Sequence, residues 1–217
     1  MNCVGICSVA LSSSFYSGYN QTSSSSSMQS VRRAVILDRD GTLNEEVGYL
    51  HRIEDVVWVP GAIEAVRRLN EAGLLVIVAT NQAGVARGYY PEEDVGTVHQ
   101  YMQLELLTAG ARIDAFYYSP YHPFGSVEKY RADSSCRKPG TGMLERAMQE
   151  WEFDPALSFM VGDKNSDIEA GRAMGMTTVL VRTGYGREAE PDTEADYVED
   201  DLSAAVDRIL SLCSTTR

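Results

Sequence analysis

From Val31 onward the chain repeats one pattern: a short apolar, β-branched run followed by an amphipathic stretch. Ala34-Val35-Ile36-Leu37 is such a run, and it stops at Asp38, as a strand buried on both faces does. Pro60-Gly61 opens a helical pattern in which Ile63, Val66 and Leu69 share a face and which Gly73 closes. Further strands are predicted over Leu74 to Ala79, Ile113 to Tyr118, Phe159 to Val161 and Val179 to Val181, with helices over Pro91 to Thr108, Met143 to Trp151, Ser166 to Met174 and Leu202 to Leu212. Strands separated by single helices make βα units, whose right-handed crossovers build a parallel sheet covered on both faces. The expected fold class is therefore α/β, a three-layer Rossmann-like parallel sheet, with 31–213 as one domain. Such sheets bind ligands outside the carboxyl ends of their strands.

Residues 1–30 contain no Asp, Glu, Lys or Arg and end in the serine run Ser23 to Ser27. They read as a disordered tail, or as the product of a start placed upstream of Met28, with a serine-rich plastid-type targeting peptide as the alternative. A net charge of -12 weighs against nucleic acid and anionic membranes as partners. A phosphorylated ligand must then be met by a local cationic pocket. The cysteines Cys3, Cys7, Cys136 and Cys213 form no disulfide framework by spacing, which favours a reducing, cytoplasmic setting. No apolar run is long enough to span a bilayer. A monomer is expected.

The polar residues that end the strands carry the chemistry. The first strand runs into Asp38-Arg39-Asp40-Gly41-Thr42, two acids one residue apart before a glycine turn; the second ends at Thr80-Asn81-Gln82. The segment after the third strand delivers Arg137-Lys138-Pro139, and the fourth ends in Gly162-Asp163-Lys164-Asn165-Ser166-Asp167. Together these fit phosphoryl transfer by a carboxylate nucleophile. A phosphate ester repels an attacking anion, so the site must neutralise charge and hold the nucleophile in line. Asp38 and Asp163 suit Mg²⁺ through hard oxygens, joined by a backbone carbonyl near Asp40 and by waters, and Lys138 suits the phosphoryl oxygens. Asp38 would attack phosphorus, and Asp40 would protonate the leaving oxygen and later take a proton from water.

These motifs resemble the haloacid dehalogenase superfamily of phosphatases. LDRDGTLNEEVGYLHRIED, PGAIEAVRRLNEAG, TNQAGVARGYY, CRKPGTGML and MVGDKNSDIEAG are similar to the D-glycero-D-manno-heptose 1,7-bisphosphate 7-phosphatase group, with histidinol-phosphate phosphatases as its nearest relatives. The resemblance implies a Mg²⁺-dependent enzyme acting on a small phosphorylated sugar in the supply of heptose for cell-surface glycans. It assigns Asp38, Asp40, Thr80 and Lys138 to catalysis and Asp38, Asp40 and Asp163 to the metal. Asn81, Gln82, Arg137, Lys164, Glu46 and Tyr49 would line the substrate site, with Arg137 on a second anionic group. Histidinol phosphate, or a broader range of small sugar phosphates, is the alternative substrate class. A non-catalytic phosphate-binding protein is the alternative from a different class.

Spacing leaves no room for an inserted cap domain, so an open cleft is expected, with selectivity set by loops 45–54, 82–90 and 119–137. In many members of the group that the chain resembles, the last of these loops carries a structural zinc site. The matching positions here read Ser119, Tyr121, Ser134 and Cys136, and structural zinc is expected to be absent. Pro120, Tyr121, Pro123, Phe124 and Tyr130 are expected to take its place by restricting the backbone and burying rings. His122 is read as packing or hydrogen-bonding in that loop, His99 as a surface or packing residue, and the acidic run Glu188 to Asp201 as a solvated surface.

Overall fold

The computed structural model describes the backbone of Ile6–Cys7 and residues 31–215. Seven strands form one sheet: β1 Ile6–Cys7, β2 Ala34–Leu37, β3 Leu75–Asn81, β4 Ala115–Ser119, β5 Phe159–Gly162, β6 Thr177–Val181 and β7 Tyr197–Glu199, in the order β1-β4-β3-β2-β5-β6-β7. All neighbours from β2 to β7 pair parallel, and β1 adds antiparallel to β4 through Ile6↔Tyr117 and Cys7↔Phe116. Of the segment read as a disordered tail, only those two residues are described, and they extend the sheet edge. The remainder of 1–30 lies outside the described residues.

Helices α1 Ala62–Glu71, α3 Glu92–Thr108 and α7 Leu202–Thr215 cover one face, and α4 Gly142–Trp151 and α5 Asn165–Ala173 the other; α2 Ala83–Arg87 and α6 Gly186–Ala189 are short connectors. The strands alternate between the two layers. Val35 and Leu37 join Val66, Leu69, Met102 and Ile209 in one core, while Ala34 and Ile36 join Met143, Leu144 and Ala170 in the other. All four β2 residues are therefore fully buried, and that is why the sequence there is uninterruptedly apolar. In α3, Glu92, Glu93 and Asp94 occupy the first turn, where they oppose the helix dipole.

Successive strands run outward from β2 in both directions, so the chain reverses its winding there. The crevice between β3 and β5, above the end of β2, is the topological switch point at which sheets of this type bind ligands. No further domain is inserted between β2 and β4.

The acidic run lies at the surface without a buried residue, as expected, and it also holds the end of α6 and the edge strand β7, and its acids have partners. Arg182 bridges Glu190 and Asp200, Arg172 meets Glu194, and Asp196 accepts from the backbone and hydroxyl of Thr178. Cys136 is disulfide-bonded whereas Cys213 is free, which removes the cysteine argument for a reducing setting. Phe124, expected to bury its ring, is 85% exposed, since Pro123-Phe124 forms the outer tip of its loop. No described helix is long and apolar enough to cross a membrane.

Candidate active site

The end of β2 places Asp38 against β5, its N–H bonded to the Val161 carbonyl at 2.9 Å. The chain then folds tightly over Arg39, whose carbonyl accepts from the N–H groups of Thr42, Leu43 and Asn44. Gly41 sits at φ +83°, and a Cβ there would run into the Asp163 carboxylate. Only glycine lets the turn approach that acid.

Asp38 is 5% and Lys138 2% exposed. The Lys138 ammonium lies 2.9 Å from Asp38 Oδ1 and 2.6 Å from Asp167 Oδ1, and donates to the Ala79 carbonyl at 2.6 Å. Asn81 grips the lysine's backbone with both ends of its amide: Oδ1 accepts from Lys138 N–H and Nδ2 donates to Lys138 C=O, each at 3.0 Å. Asn81 thus fixes the 119–137 loop to the end of β3. Lys164 lies 3.1 Å from Glu46 and 3.6 Å from Asp163, above the ring of Tyr185.

Burial opposes ionisation of Asp38, but Lys138 and then Lys164 outweigh it and hold this carboxyl below its usual range. Burial, reinforced by the charge of Asp38, pushes Asp163 up to about 7. Burial likewise pushes Asp167 up to about 6 against the pull of Lys138. Lys164 is held charged, its pKa raised despite burial by Asp38, Asp163 and Glu46. The result is an ionised carboxylate at the end of β2, next to two acids short of positive charge.

A divalent cation fits this arrangement. Carboxylate oxygens of Asp38, Asp163 and Asp167 lie within 4.8 Å of one another, and the buried Asp163 Oδ1 accepts no hydrogen bond. All-oxygen donors suit a hard ion such as Mg²⁺. Asp167 was not assigned a role in the sequence reading. Its Oδ2 accepts from Lys164 N–H at the start of α5 and its Oδ1 meets Lys138, so it anchors the lysine as well as belonging to the acid cluster. The Asp40 carboxylate stands outside the cluster, and Asp40 enters the metal assignment only through its carbonyl.

A cleft of about 420 Å³ opens above these groups. It is lined by every expected site residue except Asp163, which lies buried behind it. Gln82, expected to contact substrate, is 2% exposed and spends its amide on neighbours: Nε2 donates to Asp40 Oδ2 and Thr80 Oγ1, and Oε1 accepts from Arg39 and Tyr90. Tyr49 is 42% exposed and packs edge-on to Tyr89 at 4.6 Å on the rim. Arg137 is half-buried; burial and the nearby charge of Arg87 lower its pKa. Neither Arg137 nor Arg87 forms an ion pair among the described residues; Arg137 lines the cleft, and Arg87 lies close enough behind it for their charges to interact. The contact of Arg87 with His122, at 3.2 Å, was not visible in the sequence, since the two lie 35 positions apart.

Comparison with known proteins agrees with this geometry. Residues 135–205 match the HAD-hydrolase-like family. The chain is 45% identical over 188 residues to the D-glycero-D-manno-heptose-1,7-bisphosphate 7-phosphatase of Thermosynechococcus vestitus, covering 82% of this chain and 95% of that one. The chain belongs to this phosphatase family. The Escherichia coli K12 D-glycero-beta-D-manno-heptose-1,7-bisphosphate 7-phosphatase is 42% identical over 78% of this chain and 90% of its own. Among solved structures, the D,D-heptose 1,7-bisphosphate phosphatase of B. bronchiseptica, complexed with magnesium and phosphate, superposes with a TM-score of 0.75 at 30% identity, covering 83% of this chain and 99% of that one. The Burkholderia thailandensis phosphatase of the same name gives 0.63 at 31% identity, with the same coverage. As a member of this family of haloacid dehalogenase-like hydrolases, the chain is a phosphoric monoester hydrolase.

Proposed function

We propose that this enzyme removes the 7-phosphate of D-glycero-D-manno-heptose 1,7-bisphosphate in a Mg²⁺-dependent reaction that passes through an aspartyl phosphate on Asp38. The observation that carries the mechanism is the buried Asp38 carboxylate, held ionised by Lys138 and Lys164 at the floor of an open cleft. Asp38 and Asp163, with the Asp40 carbonyl, would hold the metal. A bound Mg²⁺ supplies positive charge against the phosphoryl oxygens, which lets two anions approach. An Asp38 oxygen attacks phosphorus while the ester P–O bond breaks, and Asp40 gives its proton to the departing alkoxide. Asp40 then takes a proton from water as that water attacks the aspartyl phosphate, releasing phosphate and restoring Asp38. Lys138 and Thr80 stabilise the phosphoryl group throughout.

The substrate assignment rests on the relatives and on Arg137 with Arg87. Their uncompensated charge suits the phosphate that is retained, because a guanidinium fork grips phosphate at two points. Glu46, Lys164 and Tyr49, which also line the cleft, are left for the sugar. The enzyme is proposed to work as a cytoplasmic monomer without nucleic-acid or membrane partners; in that compartment the Cys136 bond would be reduced.

We also propose that the 119–137 loop keeps its shape without zinc. Tyr130 is nearly buried and donates to Glu92 at 2.5 Å, Arg131 holds the Gly125 carbonyl, and His122 accepts from the Phe124 N–H. Finding one tightly held zinc per chain by elemental analysis would overturn this. The function itself is tested by phosphate release, with Mg²⁺ and with EDTA, from heptose 1,7-bisphosphate, histidinol phosphate and small sugar phosphates. A preference of about 100-fold for the heptose bisphosphate, worth roughly 2.7 kcal/mol, is expected. Equal rates, or a preference for histidinol phosphate, would overturn the assignment.

A further inference from the structure

His99 lies on α3 behind Arg39 and is fully buried. Its ring stacks on Phe116 at 4.6 Å and meets Tyr118 edge-on at 5.9 Å. Its Nε2 is 3.2 Å from Nη1 of Arg39. Arginine stays protonated and cannot accept, so Nε2 must present its lone pair and the ring proton must sit on Nδ1. Burial, together with the charge of Arg39, holds the imidazole well below its usual pKa, consistent with that neutral tautomer. Nδ1 has no partner among the described residues. The core thus tolerates an unsatisfied polar nitrogen while using the other one to hold a guanidinium.

Arg39 is itself fully buried and connects His99 to the active site. Its Nε donates to Asp40 Oδ1 at 3.0 Å and its Nη2 to Asp40 Oδ2 at 2.9 Å, a two-point grip on the carboxylate. Nη2 also reaches the Leu50 carbonyl and Gln82 Oε1, whereas Nη1 has His99 as its acceptor. Asp40 accepts further bonds from Asn44 on Oδ1 and Gln82 on Oδ2. Four donors occupy the four lone-pair positions of the carboxylate. For Asp40 to carry a proton one donor must withdraw. Gln82 and Asn44 each have a second acceptor, Thr80 Oγ1 and the Glu45 carbonyl, and so can let go; Arg39, pinned from behind, stays.

We propose that His99 is a positioning residue for the phosphatase reaction: by fixing Arg39 from behind it aims the carboxyl of Asp40 at the leaving oxygen. The inference rests on Asp40 being the group that protonates that oxygen. Without an acceptor at position 99, Nη1 is left unpaired in the core and the guanidinium is free to turn toward Leu50 and Gln82, which loosens its grip on Asp40.

The test compares a poor leaving group with a good one. An alkyl phosphate, such as the sugar bisphosphate, needs protonation of its leaving oxygen, whereas p-nitrophenyl phosphate does not. The readout is the ratio of the two kcat/KM values within one preparation, which reports the step in which the leaving group departs, not the shared hydrolysis of the aspartyl phosphate, and is independent of the fraction of enzyme that is folded. His99→Met keeps the bulk but offers a guanidinium only a weak sulfur acceptor, and His99→Gln restores an acceptor oxygen. Because a general acid contributes about 10²–10⁴-fold, His99→Met should lower the alkyl-to-aryl ratio by about tenfold or more with little change in KM. His99→Gln should stay within about threefold of the parent. Asp40→Asn is the reference and should lower the ratio further. An unchanged ratio in Asp40→Asn overturns the role of Asp40 and the proposal with it. A lowered ratio there but a parental one in His99→Met, or equal loss in the Met and Gln variants, overturns the role of His99 alone.

Discussion

Replacing Lys138 by methionine isolates the charge at the centre of the site. Methionine nearly matches the lysine stem in bulk, so the change removes an ammonium while leaving packing close to intact. In the parent that ammonium sits between Asp38 at 2.9 Å and Asp167 at 2.6 Å, all three side chains being 6% exposed or less. Removing one partner of a buried ion pair costs roughly 3–5 kcal/mol, because the charge left behind can be neither solvated nor paired. For a chain of this length the midpoint of thermal unfolding should fall by about 10 °C or more. The loss must also depend on pH. Without Lys138, burial, the largest influence on Asp38 and Asp167, is opposed mainly by the weaker pull of Lys164 and raises both folded pKa values above the unfolded value of about 3.9. A raised carboxyl is protonated in the folded state at low pH, where the penalty is small; the penalty grows as pH rises through the folded pKa values. Melting curves of parent and variant in EDTA, at pH 5 and pH 8, should therefore show the larger gap at pH 8. An equal gap at the two pH values would refute the reasoning, since it would mean that the lysine acts by packing and not by charge.

Other consequences follow from the same geometry. Gly41→Ala should cost about 1–2 kcal/mol of stability for the left-handed backbone and lower kcat sharply, because its Cβ collides with the Asp163 carboxylate; near-parental kcat would contradict the placement of that acid. Mg²⁺ must displace the proton that Asp163 holds up to about 7, so the rise in melting temperature on adding Mg²⁺ should shrink as pH falls from 8 to 5; a constant rise would contradict it. Arg137→Ala should raise KM for the bisphosphate about tenfold while leaving a monophosphate nearly unaffected. Equal changes for both substrates would place the retained phosphate elsewhere.

How much of this was readable in the sequence depended on whether the cause was local. The parallel strands with continuous apolar runs, Ala34–Leu37 and Phe159–Gly162, were visible because burial on both faces leaves no polar position. Edge strand β7 was not, because Tyr197–Glu199 is only half-buried and sits among acids that mimic a loop. Asp38, Lys138 and Asp163 were marked by acids and bases clustered at strand ends. Asp167 stood in the same motif, but its pairing with Lys138 spans 29 positions and could not be seen.

The relay through Arg39 was the least legible part. Arg39 looks like an ordinary charged residue in a turn, and His99 has no polar partner at helical spacing. Each makes sense only when α3 is laid against the end of β2, 60 positions away. The structural roles of the amides were hidden for a related reason: Asn81 and Gln82 line the cleft, and in addition Asn81 clamps the Lys138 backbone and Gln82 completes the cage around Asp40. The Cys136 bond was hidden because cysteine spacing carries no distance information.

The most direct test of the central claim is ³¹P NMR of D-glycero-D-manno-heptose 1,7-bisphosphate during turnover with Mg²⁺, run beside the Asp38→Asn variant. The account predicts loss of the 7-phosphate resonance alone, accumulation of the 1-phosphate and inorganic phosphate in equal amounts, and no turnover by the variant. Release from the anomeric carbon would contradict the substrate assignment, and parental turnover by Asp38→Asn would contradict the mechanism.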